Sequence, residues 1–369
     1  MSGDSSKCMK KKIKVLVVDD SAVDRMLLVH IINTDPRLEV VGTADNGAGA
    51  VELNELLNPD VIVMDVTMPG MDGLETTSRI MHTKPVPIVI CTSLYSADPT
   101  ISFRAVEAGA LTLIEKPEGL EHADYYPLAR SLAENVALMS EVKLIKRRSN
   151  GNQGTRSDLT KPRFIAPKLV TRPTLIAIGA STGGPPAIRT ILAGLPPGFP
   201  VPILIVQHIT SGFLSGMVSW LQATTGVPVH VAQHNEVPLL GHAYLAPDGC
   251  HMGVNALGAI ALSRHAPMNG LRPAVAHLFL SIASTPFAAN VVGVLLTGMG
   301  SDGAAELKAL KDLGAITIAQ DAESSAVHGM PGAAIQLGGA THILSPDKIA
   351  QMLSQYADNQ TPRLDVSIP

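Results

Sequence analysis

The sequence predicts an α/β protein built from two doubly wound parallel-sheet domains. Three observations carry this. Short aliphatic, β-branched runs alternate along the chain with longer helical stretches, the pattern of strand–helix–strand units. Many of those runs end in acidic, hydroxyl or Gly-rich turns, where doubly wound sheets gather their ligands. The length, 369 residues, suits two domains rather than one. Hydrophobic content of 46% is ample for two cores, and aromatics at only 3% mean that Val, Ile, Leu, Ala and Met pack them.

Composition excludes several classes. A net charge of −4 gives no overall attraction to nucleic acid or anionic membrane. Cys8, Cys91 and Cys250 are isolated, which argues against a disulfide framework and a cysteine-based zinc site. The Lys10–Lys12 run precedes a short apolar stretch that ends in Asp19-Asp20, so it is no signal peptide. No run reaches the ~18 apolar residues of a membrane span. A soluble, cytoplasmic protein without membrane insertion is expected.

Residues 13–18, Ile-Lys-Val-Leu-Val-Val, read as a first strand ending at Asp19-Asp20, and a helix follows with Val23, Met26, Leu27 and Ile31 on one face. Leu38–Ala44 is a second strand, with a helix over Ala48–Leu57. Val61–Met64 is a third, ending at Asp65; Val86–Ile90 a fourth, ending near Thr92; Leu111–Ile114 a fifth, ending at Lys116-Pro117. Asp19, Asp20, Asp65, Thr92 and Lys116 therefore share the ligand-gathering edge of one sheet. Three carboxylates in one crevice repel each other unless a cation sits among them. Oxygen ligands of this kind suit Mg²⁺. A carboxylate beside Mg²⁺, a lysine and a hydroxyl can accept a phosphoryl group.

The motifs Val-Val-Asp19-Asp20-Ser, Met-Asp65-Val-Thr-Met-Pro-Gly-Met-Asp-Gly, Thr92-Ser and Glu-Lys116-Pro117 make residues 13–125 resemble a response-regulator receiver domain, a flavodoxin-like fold. The resemblance implies that Asp65 is the phosphorylated residue, that Asp19, Asp20 and Asp65 bind Mg²⁺, and that Thr92 and Lys116 form the switch. One departure stands out. Three residues before the lysine the family usually has an aromatic that swings inward with the switch hydroxyl, and this chain has Leu113.

A Leu- and Ala-rich helix is predicted from about 124 to 146. Between Lys143 and Arg172 lie nine Lys or Arg and one acid, Asp158, among Gly, Ser, Asn and Pro. That is linker composition, with no pattern supporting a nucleic-acid site. Residues 126–172 are thus read as a helix and basic linker, and 173–358 as the second domain.

The second domain opens on the strand Thr174–Ile178, which runs into Gly179-Ala-Ser181-Thr-Gly-Gly184 and then Pro185-Pro186, residues suited to a helix start. This strand, tight turn and helix put Ser181 beside free amides and a positive dipole end. The geometry suits a nucleophile beside an oxyanion hole, or a bound phosphate. Against the dinucleotide pattern G-x-G-x-x-G, Ser181 replaces the middle glycine; against G-x-S-x-G, residues 179–183 match. The next strand, Val201–Val206, ends in Gln207-His208, where a ribose-binding acid would be expected of a nucleotide site. Residues 228–265 read as short extended pieces in an antiparallel excursion. Val291–Leu296 is the next long strand, entering Thr297-Gly-Met299-Gly-Ser-Asp302-Gly and a helix over Ala304–Leu313; a strand over Ala315–Ala319 and a helix over Ser345–Gln355 close the domain.

Ser181, His208 and Asp302 all follow carboxyl ends of predicted strands, so they can meet. A serine hydroxyl needs a neutral imidazole to take its proton, and the imidazole needs a carboxylate to fix its tautomer. The order Ser…His…Asp differs from the Ser…Asp…His of α/β-hydrolases. The remaining histidines of this domain, His234, His242, His251, His265, His277, His328 and His342 among them, show no metal-ligand spacing.

Ile-Gly-Ala-Ser181-Thr-Gly-Gly, Val-Gln-His208-Ile, Leu-Ala-Pro-Asp-Gly, Leu-Thr-Gly-Met299-Gly-Ser-Asp302-Gly-Ala and His-Gly-Met-Pro resemble the CheB family of chemotaxis protein-glutamate methylesterases, with a Rossmann-like catalytic domain. The resemblance implies hydrolysis of γ-glutamyl methyl esters on methylated chemoreceptors with release of methanol, and glutamine deamidation in some members. By position it makes Ser181 the nucleophile, His208 the base and Asp302 its orienter, with Thr182 and Met299 lining the site and no cofactor in the esterase reaction. It also implies a chemotaxis-type histidine kinase as phosphodonor. After Arg272-Pro273 the family commonly has Ser-Val-Asp, whereas this chain has Ala274-Val275-Ala276. The rival readings are a phosphorylation-gated binding module with a vestigial triad, and a nucleotide-binding domain on the Gly-rich loop. The tethered receiver is expected to inhibit the esterase at rest and to release it on phosphorylation.

Overall fold

The computed structural model describes residues 11–92, 101–117, 119, 125–142, 173–209 and 212–358. The chain divides into two compact units, Met1–Leu144 and Ile145–Pro369.

The first unit alternates β1 (Ile13–Val18), α1 (Ala22–Thr34), β2 (Leu38–Ala44), α2 (Gly47–Leu57), β3 (Val61–Met64), α3 (Gly73–Thr83), β4 (Ile88–Thr92), α4 (Ile101–Ala108), β5 (Thr112–Glu115) and α5 (Tyr125–Met139). All strands are parallel, in the order β2-β1-β3-β4-β5. The order reverses between β1 and β3, so a crevice opens where their carboxyl ends diverge. Helix starts are fixed by side chains that accept an orphan amide: Ser21 from Asp24, Asn46 from Gly49, Asp72 from Glu75. The core is aliphatic, from Leu16, Val18, Ile62, Met64, Ile88 and Ile90 in the strands to Leu74 and Ile80 of α3.

Two expectations are corrected here. Helix α1 buries Leu28, Ile31 and Ile32, while Val23 and Met26 are each 74% exposed. Spacing of three and four residues fits either side of Leu27, and the sheet takes the side that carries the fully aliphatic triplet. Helix α5 stops at Met139 rather than near 146, and its last carbonyls are taken by i→i+3 turns from Glu141 to Leu138 and Val142 to Met139. The basic stretch read as a linker, 143–172, lies outside the described residues.

The second unit contains β6 (Leu175–Ala180), α6 (Gly184–Ala193), β7 (Ile203–Gln207), α7 (Leu214–Thr225), β8 (Val229–Val231), β9 (Ala243–Leu245), β10 (His251–Val254), β11 (Ile260–Ser263), α8 (Val275–Ala283), β12 (Val291–Leu295), α9 (Ala304–Asp312), β13 (Ile316–Gln320), α10 (Met330–Gln336), β14 (His342–Leu344) and α11 (Pro346–Asp358). Seven strands form one sheet, β14-β13-β12-β6-β7-β9-β8, and every pairing in it is parallel. The predicted antiparallel excursion is smaller than expected. β8 and β9 join the main sheet because the stretch 232–242 carries the chain back to the same end; among the described strands β10 and β11 pair antiparallel.

That hairpin packs on α8. Ser281 Oγ accepts from the Val254 amide at 3.0 Å, and His251 Nδ1 accepts from the Ala274 amide at 3.3 Å. Phe279 and Ile282 of α8 and Met252 and Ile260 of the hairpin join one core with strand residues Leu175, Leu204, Val206 and Leu295.

Candidate active site

The three central strands of the larger sheet are neighbours in the order β12, β6, β7. Asp302 follows the first, Ser181 the second and His208 the third, so the serine stands between its two candidate partners. Ladder geometry fixes their backbones. The last register pair of β6 and β7 is Ala180 with Gln207, and the His208 amide donates to Ala180 O at 2.9 Å. On the other side the Ser181 amide donates to Thr297 O at 3.0 Å.

His208 Nε2 lies 2.9 Å from Asp302 Oδ2. The Asp302 carboxylate also accepts the amides of Val275, 2.6 Å to Oδ2, and Ala276, 3.1 Å to Oδ1. These are the first two amides of α8, and its N-cap residue, Ala274, offers no side-chain cap. Asp302 thus caps a helix that begins far away in sequence, with the dipole end of that helix turned toward its charge. Burial works to raise the Asp302 pKa, but the His208 hydrogen bond and the two amides outweigh it and hold the carboxyl below its usual range. An ionised Asp302 accepts the Nε2 proton of His208, which leaves Nδ1 as the ring's free acceptor. No hydrogen bond joins Ser181 Oγ to the His208 ring among the described residues, although their backbones are adjacent.

Thr182 follows the serine directly in the chain, and Met299 follows Gly298 on the neighbouring turn. The Thr182 carbonyl accepts from Thr297 Oγ1 at 2.9 Å. Met299 is 48% exposed in that turn after β12. Gly298 lies directly against the serine: a Cβ there would sit 2.7 Å from Ser181 Cβ and strike the Met330 sulfur. The amides of Val275 and Ala276 escape sequence reading, because any residue but proline supplies an N–H.

In the first unit, one carboxylate oxygen from each of Asp19, Asp20 and Asp65 lies within 4.8 Å of the others. Lys116 Nζ stands 2.7 Å from Asp19 Oδ2, 3.3 Å from Asp65 Oδ1 and 3.5 Å from Asp24 Oδ2. Asp19 Oδ1 is held by the Ser21 amide and Asp65 Oδ2 by the Thr67 amide, each at 3.0 Å. The outer oxygens, Asp19 Oδ2 and Asp65 Oδ1, are buried and receive no well-aligned hydrogen bond despite the nearby ammonium. Burial pushes the pKa of both Asp19 and Asp65 up, with Lys116 only partly opposing it. Burial would lower the Lys116 pKa, but Asp19, Asp65 and Asp24 reverse that and raise it. One ammonium among four acids leaves excess negative charge, and Asp19 Oδ2 and Asp65 Oδ1 share that single cation, a donor set that fits a hard divalent cation. Thr92 is buried at the end of β4, its carbonyl taking the Lys116 amide at 3.1 Å. Leu113 packs partly buried against the core of this unit.

No helix among the described residues is long and apolar enough to cross a membrane. Family models match in both units: a response regulator receiver domain over residues 15–123 and a CheB methylesterase over 176–353. A protein-glutamate methylesterase/protein-glutamine glutaminase of Geobacter metallireducens is 50% identical over 348 residues, 94% of this chain and 99% of the relative. One of Syntrophus aciditrophicus is 49% identical over 95% of this chain and 100% of the relative. Among solved structures, the Thermotoga maritima CheB methylesterase catalytic domain is 34% identical, with 50% of this chain and 99% of that chain covered at a TM-score of 0.48.

Proposed function

Since this chain belongs to the CheB family of protein-glutamate methylesterases and carries a receiver domain ahead of the catalytic one, we propose that it hydrolyses glutamate γ-methyl esters on chemoreceptors under control of phosphorylation at Asp65. The observation that carries the esterase reading is the 2.9 Å His208–Asp302 contact beside Ser181 at the ends of three adjacent strands.

Ser181 Oγ attacks the ester carbonyl while His208 Nδ1 takes its proton, the other ring nitrogen being committed to Asp302. The tetrahedral oxyanion collects charge at the start of α6, beside Thr182 and the Met299 turn that follows β12. Collapse breaks the acyl–OCH₃ bond, and His208 returns the proton to release methanol. Water then attacks the acyl-serine, delivering its proton through His208, which frees the glutamate carboxylate and Ser181. With a glutamine side chain the same steps expel ammonia, the second activity in the relatives' names.

In the receiver, Asp19, Asp20 and Asp65 would hold Mg²⁺, which supplies charge neutralisation for a phosphoryl group. Lys116 offsets further charge on that group and Thr92 supplies the switch hydroxyl. The phosphodonor is a chemotaxis-type histidine kinase. The domain frame is 13–125 for the receiver, 126–172 for the helix and linker, and 173–358 for the esterase.

The test is methanol release from a methylated receptor by the full chain, with labelling by a serine-directed fluorophosphonate. Methanol release and label on Ser181, both lost in Ser181→Ala, are the expected results. A folded, phosphorylatable protein that takes no label would instead be the binding module with a vestigial triad.

A further inference from the structure

We infer that Gln207 is a positioning residue that fixes the nucleophile relative to its base. The inference rests on the proposed roles of Ser181 and His208. Gln207 is the last residue of β7 and is 6% exposed. Its side-chain nitrogen Nε2 donates twice, to Ser181 O at 2.8 Å and to His208 O at 2.8 Å. One amide group thus holds the backbones of both residues.

The ladder between β6 and β7 ends just short of them. Its last backbone bond on this side runs from the His208 amide to Ala180 O. The ladder sets where the two backbones enter their turns; beyond that point no further backbone rung joins Ser181 to His208 among the described residues. The Gln207 side chain adds one more rung, made of side-chain rather than backbone atoms. Productive proton transfer needs heavy atoms within about 2.6–3.2 Å, and a misplacement of about 1 Å costs on the order of 100-fold. Holding both carbonyls limits how far the two turns can drift apart.

Two further features suit this role better than plain packing. Gln207 Oε1 is buried and accepts no hydrogen bond among the described residues, so the amide is tolerated at a cost that an aliphatic side chain would avoid. The start of α6 is shaped around it: a Cβ on Gly184 would collide with Oε1. The site therefore accommodates an amide for its donors although its acceptor goes unused.

The experiment compares the full chain with Gln207→Met and Gln207→Glu, and with Ser181→Ala in the same assay. Gln207→Met keeps volume, loses both donors and removes the orphaned oxygen. Expected are a fall in kcat of about 10–100-fold, KM within about twofold of the parent, fluorophosphonate labelling slowed in proportion, and a Tm equal to or above the parent's. Gln207→Glu, a shape match without N–H donors, should lose kcat to a similar degree if it folds. Parent-like kcat in a folded Gln207→Met protein overturns the inference, as does a loss that only tracks a lowered Tm. Activity surviving in Ser181→Ala overturns the underlying triad reading instead.

Discussion

Asp65 and Asp302 occupy comparable places in the two units. Each follows a central strand of a parallel sheet, and each is almost fully buried, at 4% and 6% exposure. Yet burial leaves Asp65 with a raised pKa, while Asp302 is held below the ordinary range. The difference is in the donors. Asp302 receives two helix-start amides and an imidazole, all well aligned. Asp65 receives one amide and shares one ammonium with Asp19, leaving Oδ1 without an aligned partner. Equal desolvation therefore gives a carboxylate complete within the protein in one unit, and one that lacks a cation in the other.

The largest expected effect tests the complete site. Ser181→Ala and His208→Ala should each lower methanol release by about 10⁵–10⁶-fold, and the double variant should be little worse, because the residues act as one unit. Asp302→Asn should cost less, about 10³–10⁴-fold. Independent, multiplying losses in the double variant would break the unit.

The incomplete site is sharpened by its missing charge. Mg²⁺ should raise the thermal stability of the parent, by about 2.7 kcal/mol at a hundredfold excess over Kd, and Asp65→Asn should abolish most of that gain. A phosphodonor with Mg²⁺ should label the parent and leave Asp65→Ala unlabelled. An unchanged melting curve in Mg²⁺ would remove the cation from the account.

A smaller effect concerns sign. Asp302 has a depressed folded pKa, so its stabilisation is present above the unfolded value, near 3.9, and is lost as pH falls through the folded one. Asp65 has a raised folded pKa, so ionised Asp65 costs stability at neutral pH, and the cost fades as acid protonates it. Without Mg²⁺, Asp302→Asn should therefore be destabilised at pH 7 and Asp65→Asn stabilised, each by about 1–3 kcal/mol. Both differences should shrink toward pH 3. Denaturant unfolding across pH reads this directly, and shifts of the same sign would refute the contrast. The smallest effect is on α1, where Val23→Ser or Met26→Lys should change stability by no more than about 0.5 kcal/mol because both side chains face solvent.

Strand ends were legible in the sequence because chemistry-bearing residues stand immediately after aliphatic runs, so Asp19, Asp65, Ser181 and His208 could be placed before any contact was known. What escaped was set by tertiary contact. The buried side of α1 depends on which of two overlapping apolar stripes meets the sheet. The parallel sense of β8 and β9 cannot be read from strands of three residues, because direction is decided by the path of the loop between them. The amides that hold Asp302 carry no side-chain signature at all. Gln207 was visible beside His208, but nothing in its spacing shows that its amide reaches two backbones.

The helix-capping role of Asp302 bears on how such proteins decay. Ser181 and His208 serve the reaction through their side chains, whereas Asp302 also satisfies the start of α8. A descendant released from selection for hydrolysis would lose the serine more readily than the aspartate, while the histidine, as a partner of Asp302, stands between them. In comparing relatives, an aspartate at this position therefore testifies first to an intact scaffold, and the serine to a working enzyme.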